Sequence, residues 1–266
     1  MVTTMIAARL SPGRVGAVIG RNVGALRSGP SYWLVLVSGF FEPLLYLLSI
    51  GVGVGALVGD LPVDGRTLPY ATFVAPAMLA VSAMSGALSE TTYNFFFKLK
   101  YQKTFEAVLA TPVRPFEIAV GELTWAMVRG SLYTGLFLIV MVALRLAEPL
   151  WALAAFPATM LVGLAFGSLG MAVSTLLRGW QDFDLMATVQ FAMFLFSGTF
   201  SPVGDYPAPM RILVEVTPLY HAVELVRGLT LGIPGWGLLA HAAYLLAMMA
   251  AGLLFAARRL QRTLCV

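Results

Sequence analysis

The sequence is poor in charged residues and in cysteine. Only 11% of its 266 residues are charged, 59% are hydrophobic, and the mean hydropathy is +0.85. Soluble globular domains carry about 25% charged residues, so this composition excludes that class and indicates a protein that crosses a membrane several times. The single cysteine, Cys265, excludes an internal disulfide and any zinc or iron–sulfur site built on several cysteines.

Lysine is also scarce, and its placement excludes one kind of nucleotide site. The three lysines are Lys98, Lys100 and Lys103, and none of them follows a glycine. A phosphate-binding loop needs glycine followed by lysine and serine or threonine, because backbone amides cradle the phosphates and the lysine neutralises them. The chain therefore does not hydrolyse ATP through such a loop, and a partner must supply the energy for any driven process.

Six predominantly apolar runs are long enough to cross a membrane as helices. Roughly 20 helical residues span a hydrocarbon core of about 30 Å, and the runs lack the alternation of apolar and polar residues that barrel strands show. The sequence thus predicts an all-α integral membrane protein with a single transmembrane domain. The six predicted spans cover residues 32–57, 70–88, 123–146, 150–177, 185–203 and 236–257.

The distribution of positive charge predicts the orientation. With a cytoplasmic N-terminus, twelve Lys and Arg residues lie on the inner side and four on the outer side, as the positive-inside rule requires. We therefore expect both termini in the cytoplasm and the chain in the cytoplasmic (inner) membrane.

Residues 1–31 carry arginines among short apolar patches and lack the compact apolar core of a cleavable signal. On a helical wheel, Val18 lies on an apolar face from which Arg14 and Arg21 point away. This pattern predicts a helix lying in the membrane interface. For the first ten residues, a partly ordered basic tail is an equal alternative.

A charged, proline-broken stretch separates the second and third apolar runs. Phe97, Tyr101, Phe105 and Val108 recur at intervals of four, four and three residues, which predicts a short amphipathic helix with an apolar ridge. Pro112 ends this helix, because proline disfavours a helical conformation at the residue before it. Such a helix can dock into a groove of another protein or lie among lipid headgroups, and the pattern leaves both open.

Glu42 is the most costly residue in the predicted membrane spans. It lies about ten residues into the first span, where an ionised carboxylate costs on the order of 2.5–3.5 kcal/mol. Pro43 follows it and leaves a carbonyl one turn earlier without its helical partner. Glu42 is therefore either a polar contact in a transport path or between two copies of the chain, or a protonated group that hydrogen-bonds inside its own bundle.

Four stretches carry a resemblance to a known family: FFEPLLYLLSIGVGVG (40–55), KTFEAVLATPVRPFEIAVGELTW (103–125), FGSLGMAVS (166–174) and TPLYHAVELVRGLTLG (217–232). Over nearly its whole length the chain resembles the membrane subunit of ABC-2 type transporters. It is most similar to the group of the nodulation protein J, which exports lipo-oligosaccharides, and the daunorubicin-resistance permeases.

The resemblance implies a fold and an assembly. It implies six spans, an interfacial N-terminal helix within 1–31, a coupling helix within 97–122, and two short re-entrant helices on the outer side within 204–233. The prolines of that last segment support the inference, because they cut apolar pieces too short to span. The resemblance further implies a dimer with a second permease copy or a paralogue, bound to two ABC ATPase subunits that hold ATP and magnesium. No cofactor is expected on this chain, and no nucleic acid partner.

The resemblance also implies an exporter of an amphipathic lipid, a glycolipid or lipo-oligosaccharide, or a hydrophobic drug. Coupling to the ATPase is expected at a set of residues in the proline-broken stretch: Lys103, Thr104, Phe105, Glu106, Val108, Leu109, Pro112 and Arg114. A substrate path is expected along Glu42, Phe196, Phe200, Tyr220 and His221. For the aromatic residues among these, anchoring at the headgroup level is an equal alternative.

The rival function is that of a membrane-embedded lipid or sugar transferase. Asp182 and Asp184 form an Asp-x-Asp pair, whose carboxylate oxygens are suited to a divalent metal and a nucleotide-sugar phosphate. The alternative is that both aspartates lie at the start of the fifth span, where negative charge stabilises a helix N-terminus. No metal site is expected.

Overall fold

The computed structural model describes residues 11–28, 41, 44–63 and 66–264 of the chain. Within this part, four helices are long and apolar enough to cross a membrane: Tyr70–Tyr101, Pro115–Ala143, Pro149–Ser174 and Trp236–Thr263. The predicted class of an all-α membrane protein is therefore confirmed, with four of the six predicted spans supported by length and composition. Part of the first predicted span, with Glu42, lies outside the described residues.

Helix α1 (Pro12–Arg27) is amphipathic and lies against the rest of the chain. Pro12 occupies its first turn, where the missing N–H of proline is not needed. Val18 and Asn22 are buried on the face that packs against the helix Pro115–Ala143.

A second helix, α2, is wound as a π-helix over Leu47–Val54 and continues as one α-helical turn over Gly55–Val58. It packs on the helix that begins at Tyr70. Gly51 faces Ala71 there, and a Cβ on this glycine would lie 3.4 Å from the Ala71 Cβ. The small side chains thus let the two helices approach closely.

A short antiparallel hairpin follows, formed by β1 (Asp60–Val63) and β2 (Arg66–Pro69), with Leu61 opposite Leu68. The sequence did not predict it, because four-residue strands are too short to show a clear periodicity. The hairpin marks one end of the helical bundle, which we call the hairpin end.

Helix α3 (Tyr70–Leu88) continues through π-helical turns at Ser89–Asn94 and Phe97–Tyr101 into one helix of 32 residues. Of its most apolar window, 83% is buried inside the chain, so α3 is the central helix. The helix extends well past the predicted end of the second span at residue 88. It can do so because polar side chains beyond that point, such as Glu90 and Asn94, find partners within the bundle.

Helix α4 (Thr104–Leu109) is separated from α5 (Pro115–Ala143) by a turn. Helix α5 begins eight residues before the predicted span at residue 123. Its first turn is fixed by a capping interaction, in which the Arg114 N–H donates to Glu117 Oε2 at 2.9 Å. The end of the bundle that holds α1 and α4 is called the α4 end.

Helix α6 (Pro149–Ser174) packs against the helix Trp236–Leu264, and this is the most extensive contact between two of the described elements. Helix α7 (Gln181–Leu195) is shorter than the predicted fifth span of residues 185–203. Its 15 residues fall short of the roughly 20 that a membrane requires. The helix stops because Gly198, with φ of 70°, turns the backbone into the left-handed region just beyond its end.

Two short helices follow, α8 (Ala208–Val216) and α9 (Pro218–Thr230), and then the long α10 (Trp236–Leu264). Both short helices lie within the predicted segment 204–233, and a proline begins or directly precedes each of them. Helix α9 is held against α3, α6 and α10, so it is part of the bundle and not an isolated surface helix.

Candidate functional site

The proline-broken stretch does not form one continuous amphipathic helix. Lys103 has φ of 51°, a left-handed conformation that ends α3 before α4 begins. Phe97 and Tyr101 therefore lie on the last turns of α3, where their rings stack at 5.5 Å, while Phe105 belongs to α4. The predicted single ridge is corrected to two separate apolar surfaces.

Phe105 points into the bundle. Its side chain is 1% exposed, and its ring centroid lies 4.9 Å from that of Phe95 on α3. Val108 and Leu109 are half-buried against the same core cluster. In this arrangement the three residues anchor α4 to the bundle, and their predicted role in coupling to an ATPase stays a prediction.

We call residues 103–114 the α4 segment, and the side chains that it exposes are mostly polar. Lys103 and Glu106 form an ion pair at 3.8 Å, with 68% and 57% of their side chains exposed. Pro112 and Arg114 are also exposed, whereas Thr104 is half-buried and donates to Gln102 Oε1 at 3.3 Å. A partner that meets this segment would therefore contact its polar residues first.

Glu117, at the start of α5, joins the beginnings of two helices. Besides the Arg114 N–H, its carboxylate accepts the Ser11 N–H at 3.2 Å and lies 3.5 Å from the Arg14 guanidinium. The side chain is 3% exposed. Since a buried carboxylate needs such partners, Glu117 fixes the start of α1 to the start of α5.

Glu122, just over one turn further along α5, is the centre of a second junction. Its carboxylate accepts from Lys98 Nζ at 2.6 Å and from Arg21 Nη2 at 3.3 Å. Asn22 Oδ1 accepts from both cations, at 3.0 Å from Lys98 and 2.9 Å from Arg21. This Glu122 junction connects α1, α3 and α5 through a carboxylate that is 5% exposed.

Gly121 lets α1 reach these two carboxylates. A Cβ built on Gly121 would lie 2.8 Å from the Cβ of Val18, closer than real side-chain contacts allow. Any larger residue there would push α1 away from α5. The close approach and the two ion pairs on either side of it therefore depend on each other.

A further buried pair lies deeper between α3 and α5. Glu90, in the π-helical part of α3, forms a salt bridge with Arg129 and accepts from Asn94 Nδ2 at 2.9 Å. Arg129 donates to the hydroxyl of Tyr133 at 2.7 Å. Ionisable residues within apolar helices are costly unless paired, and here the pairing crosses from one helix to another.

The sequence analysis did not single out Glu90, Glu117 or Glu122. A usable signal was present, since each is an acidic residue inside or at the edge of an apolar run with a cation elsewhere to balance it. The partners could not be identified, because Arg21 and Glu122 are 101 positions apart.

The predicted substrate-path residues at the hairpin end are not gathered into one path. Tyr220 lines a cavity of about 540 Å³ between the hairpin, α8, α9 and α10. Phe200 packs on Phe194 with ring centroids 5.1 Å apart, and Phe196 is 38% exposed. Glu42 lies outside the described residues.

His221 is in contact with His241 of α10, and their Nδ1 atoms are 2.7 Å apart. The charges of the neighbouring 540 Å³ cavity come from residues of both signs on α8 and α9 and in the preceding turn: Asp205, Arg211, Glu215, Glu224 and Arg227. Arg227 is buried, donates to the Gly198 carbonyl at 2.8 Å, and lies over the Phe73 ring at 4.0 Å.

A second cavity of about 340 Å³ lies in the bundle between α2, α3 and α7. Its walls are mostly apolar and aromatic, with Tyr46, Phe191 and Phe194 among them. A polar contact crosses it, since Gln190 Nε2 donates to Ser85 Oγ at 3.0 Å. The cleft offers apolar contact with a few hydrogen-bonding groups, which suits an amphipathic molecule.

Asp182 is engaged in local structure. Its Oδ2 accepts the backbone N–H groups of Arg178 at 2.6 Å and Gly179 at 3.3 Å, and these bonds hold the pKa of the carboxyl below its ordinary value. Asp184 is exposed on the first turn of α7. Among the residues that the structure describes, no group of three His, Cys, Asp or Glu side chains is placed to hold a metal ion.

Comparison with known proteins gives one consistent result. Residues 26–231 match the model of a family described as ABC-2 type transporter. The chain is 34% identical over 232 residues to nodulation protein J of Rhizobium leguminosarum bv. trifolii, covering 81% of this chain and 87% of that protein. It is 37% identical over 194 residues to nodulation protein J of Rhizobium leguminosarum bv. viciae, covering 73% of each.

A more distant similarity points the same way. A probable multidrug ABC transporter permease of Escherichia coli (strain K12) is 24% identical over 162 residues, which cover 60% of this chain and 44% of that protein.

Proposed function

Since this chain belongs to the ABC-2 type transporter family, we propose that it acts as the permease of an ATP-driven exporter in the cytoplasmic membrane, with both termini in the cytoplasm. Members of this family are non-catalytic transmembrane subunits, and a partner hydrolyses ATP. In the proposed assembly, two permease chains join two copies of a separate ABC ATPase, which holds the ATP and magnesium.

The Glu122 junction is the observation that carries the proposed coupling mechanism. It connects α1, α3 and α5 at the α4 end, and Phe105 fixes α4 to the same core. A push on the exposed surface of α4 is therefore transmitted to two membrane helices and to α1 together. Closely packed elements move as units because interiors are dense and resist local deformation.

The docking surface in this proposal is the exposed polar part of the α4 segment. Lys103, Glu106, Pro112 and Arg114 are on the surface and free to meet a groove of the ATPase. Thr104 adds a half-buried hydroxyl at its edge. Phe105, Val108 and Leu109 contribute from within, by keeping the segment rigid.

The proposed route for substrate follows the cleft between α2, α3 and α7 toward the 540 Å³ cavity at the hairpin end. In this proposal Phe200 and Tyr220 lie near that exit, with Phe196 and His221 on its periphery. The predicted contribution of Glu42, which lies outside the described residues, is kept as part of the proposal. The apolar walls with the Gln190–Ser85 contact favour an amphipathic lipid, a glycolipid or lipo-oligosaccharide, or a hydrophobic drug. A hydrophobic drug as cargo is in keeping with the similarity to a probable multidrug ABC transporter permease of Escherichia coli (strain K12).

A charge reversal on the α4 surface tests the coupling assignment. We expect Glu106→Lys to lower transport-linked ATP hydrolysis by about tenfold or more, because it places a positive charge in the proposed interface at a cost of about 1.4 kcal/mol. The measurement uses the full chain with the ATPase that co-purifies with it, reconstituted in proteoliposomes.

Glu148→Lys is the matched control. Glu148 is exposed and directly precedes α6 at the hairpin end, so the same change in charge leaves the α4 surface intact. If Glu106→Lys and Glu148→Lys have equal effects, the docking assignment is refuted. If the chain instead purifies without any ATP-hydrolysing partner and shows no ATP-dependent transport, the exporter proposal itself fails.

A further inference from the structure

The chain contains two histidines, and the structure brings them together. His221 lies in the first turns of α9 and His241 in the second turn of α10. Their Nδ1 atoms are 2.7 Å apart, which is a hydrogen-bond distance. A bond between two imidazole nitrogens requires a proton on one and a lone pair on the other. The contact is therefore sensitive to protonation.

The number of protons on the pair decides whether the contact can exist. In the neutral pair, one ring donates through Nδ1–H and the other accepts. A first added proton leaves this bond in place, because the imidazolium can still donate to the neutral ring. A second added proton puts N–H groups and positive charges on both facing atoms, so that the two rings repel each other and must separate.

The environment favours the neutral or singly protonated pair. Burial lowers the pKa of His221 below its ordinary value, and the nearby His241 lowers it further. The His221 ring also stacks on Tyr244 of α10, with ring centroids 3.9 Å apart. Since the charged form is disfavoured, the contact contributes stability at neutral pH and loses it as the pH falls below the ordinary histidine range.

Other titratable groups face this corner from each neighbouring element. Glu224 of α9 lines the same cavity as His241 of α10, so a carboxylate is among these groups. The groups around the pair come from the turn before α8 and from α8, α9 and α10: Asp205, Arg211, Glu215, Tyr220, Glu224, Arg227 and Tyr244.

The histidine contact lies where two short helices meet the last long one. Tyr244, beside the pair, donates its hydroxyl to the Val216 carbonyl at the end of α8 at 3.1 Å. Further along, Gly228 of α9 receives Leu238 of α10 so closely that a Cβ on the glycine would lie 2.5 Å from the Leu238 Cδ2. Separation of the two rings would therefore loosen the attachment of both short helices to α10.

We propose that the His221–His241 pair is a proton-sensitive latch, which holds α8 and α9 against α10 at neutral pH and opens when the hairpin end is acidified. The inference is independent of the coupling mechanism, since it concerns the opposite end of the bundle. It predicts a local loosening that requires two histidines and not one.

The test is amide hydrogen exchange of the full chain in lipid nanodiscs at pH 7.5 and pH 5.0, corrected for the intrinsic pH dependence of exchange. In the unmodified chain we expect exchange in α9 to be faster at pH 5.0 by about tenfold, because the opened contact exposes the amides of this helix. In His241→Gln the remaining imidazole can donate to the amide oxygen in either charge state. We therefore expect the acid response of α9 to fall to less than about twofold.

His221→Gln is the reciprocal variant and keeps the test valid if His241→Gln does not fold. Exchange in the buried part of α3 serves as the internal reference for a general effect of acid. An equal acid response in the unmodified chain and in the variants would overturn the latch, as would no response in the unmodified chain. Slower exchange in α9 on addition of Zn²⁺ at pH 7.5, lost in His241→Gln, would assign the pair to a metal ion and also overturn the proposal.

Discussion

Removal of the charge at Glu122 should break the connection between α1, α3 and α5. In Glu122→Gln the shape is kept, but Lys98 loses the carboxylate at 2.6 Å and Arg21 the one at 3.3 Å. Removing one partner of a buried ion pair costs about 3–5 kcal/mol. The expected loss lies near the lower limit, at about 3 kcal/mol, because Arg21 is 34% exposed and Lys98 keeps Asn22 as a partner.

The magnitude can be measured as a coupling energy. The free energy of unfolding is determined for Glu122→Gln, Lys98→Met and the double variant in the same nanodisc preparation. At about 2–4 °C per kcal/mol for a chain of this size, Glu122→Gln should lower the unfolding midpoint by about 6–12 °C. The double variant should be less destabilised than the sum of the single variants by about 2 kcal/mol, since the second change removes an already uncompensated charge.

The control is Glu106→Gln, which removes the exposed ion pair with Lys103 in the same region. Exposed pairs contribute about 0.2–1 kcal/mol, so this variant should change the midpoint by only a few degrees at most. Additive effects of Glu122→Gln and Lys98→Met, within about 0.5 kcal/mol, would refute the view that they form one junction.

Two further variants test the packing at the α4 end. Gly121→Val should detach α1 and increase its protease sensitivity, because Val18 occupies the space that a side chain needs, whereas Gly20→Ala, with open space around it, should leave α1 in place. Phe105→Asp should lower the folded yield at a cost of about 3–5 kcal/mol, since a carboxylate would be buried where a ring now packs on Phe95. Phe105→Leu should retain both yield and ATPase binding, and loss of ATPase binding by that variant at normal yield would restore a direct docking role for the ring.

Of the two ends of the α4 segment, the sequence predicted the stop at Pro112 but not the bend at Lys103. The spacing of Phe97, Tyr101 and Phe105 correctly indicated helical structure, and Pro112 correctly indicated a stop. The left-handed backbone at Lys103 was not predictable, because residues other than glycine rarely adopt it. Because of this bend, Phe105 points into the core, and the exposed side of α4 carries polar side chains such as Lys103 and Glu106.

The short α7 illustrates a second limit. Residues 185–203 carry no charge and are mostly apolar, and composition alone cannot distinguish a span from a helix followed by a buried turn. The turn is possible because Arg227, from α9, donates to the Gly198 carbonyl and satisfies part of the freed backbone. That partner lies 29 positions away, beyond the reach of any local pattern.

The sequence by itself determined that the chain lies in a lipid membrane, that it is built of α-helices, and which family it belongs to. Apolar runs, helix stops at proline and the absence of a phosphate-binding loop are properties of neighbouring residues, and they follow from hydrophobicity and backbone sterics alone. The tertiary structure decided which side chains meet. Glu122 with Lys98 and Arg21, Gly121 with Val18, and His221 with His241 are contacts between helices, and they exist because the packing of the whole bundle brings distant segments to one place. The exposed surface of α4 and the His221–His241 contact therefore exist only in the folded chain.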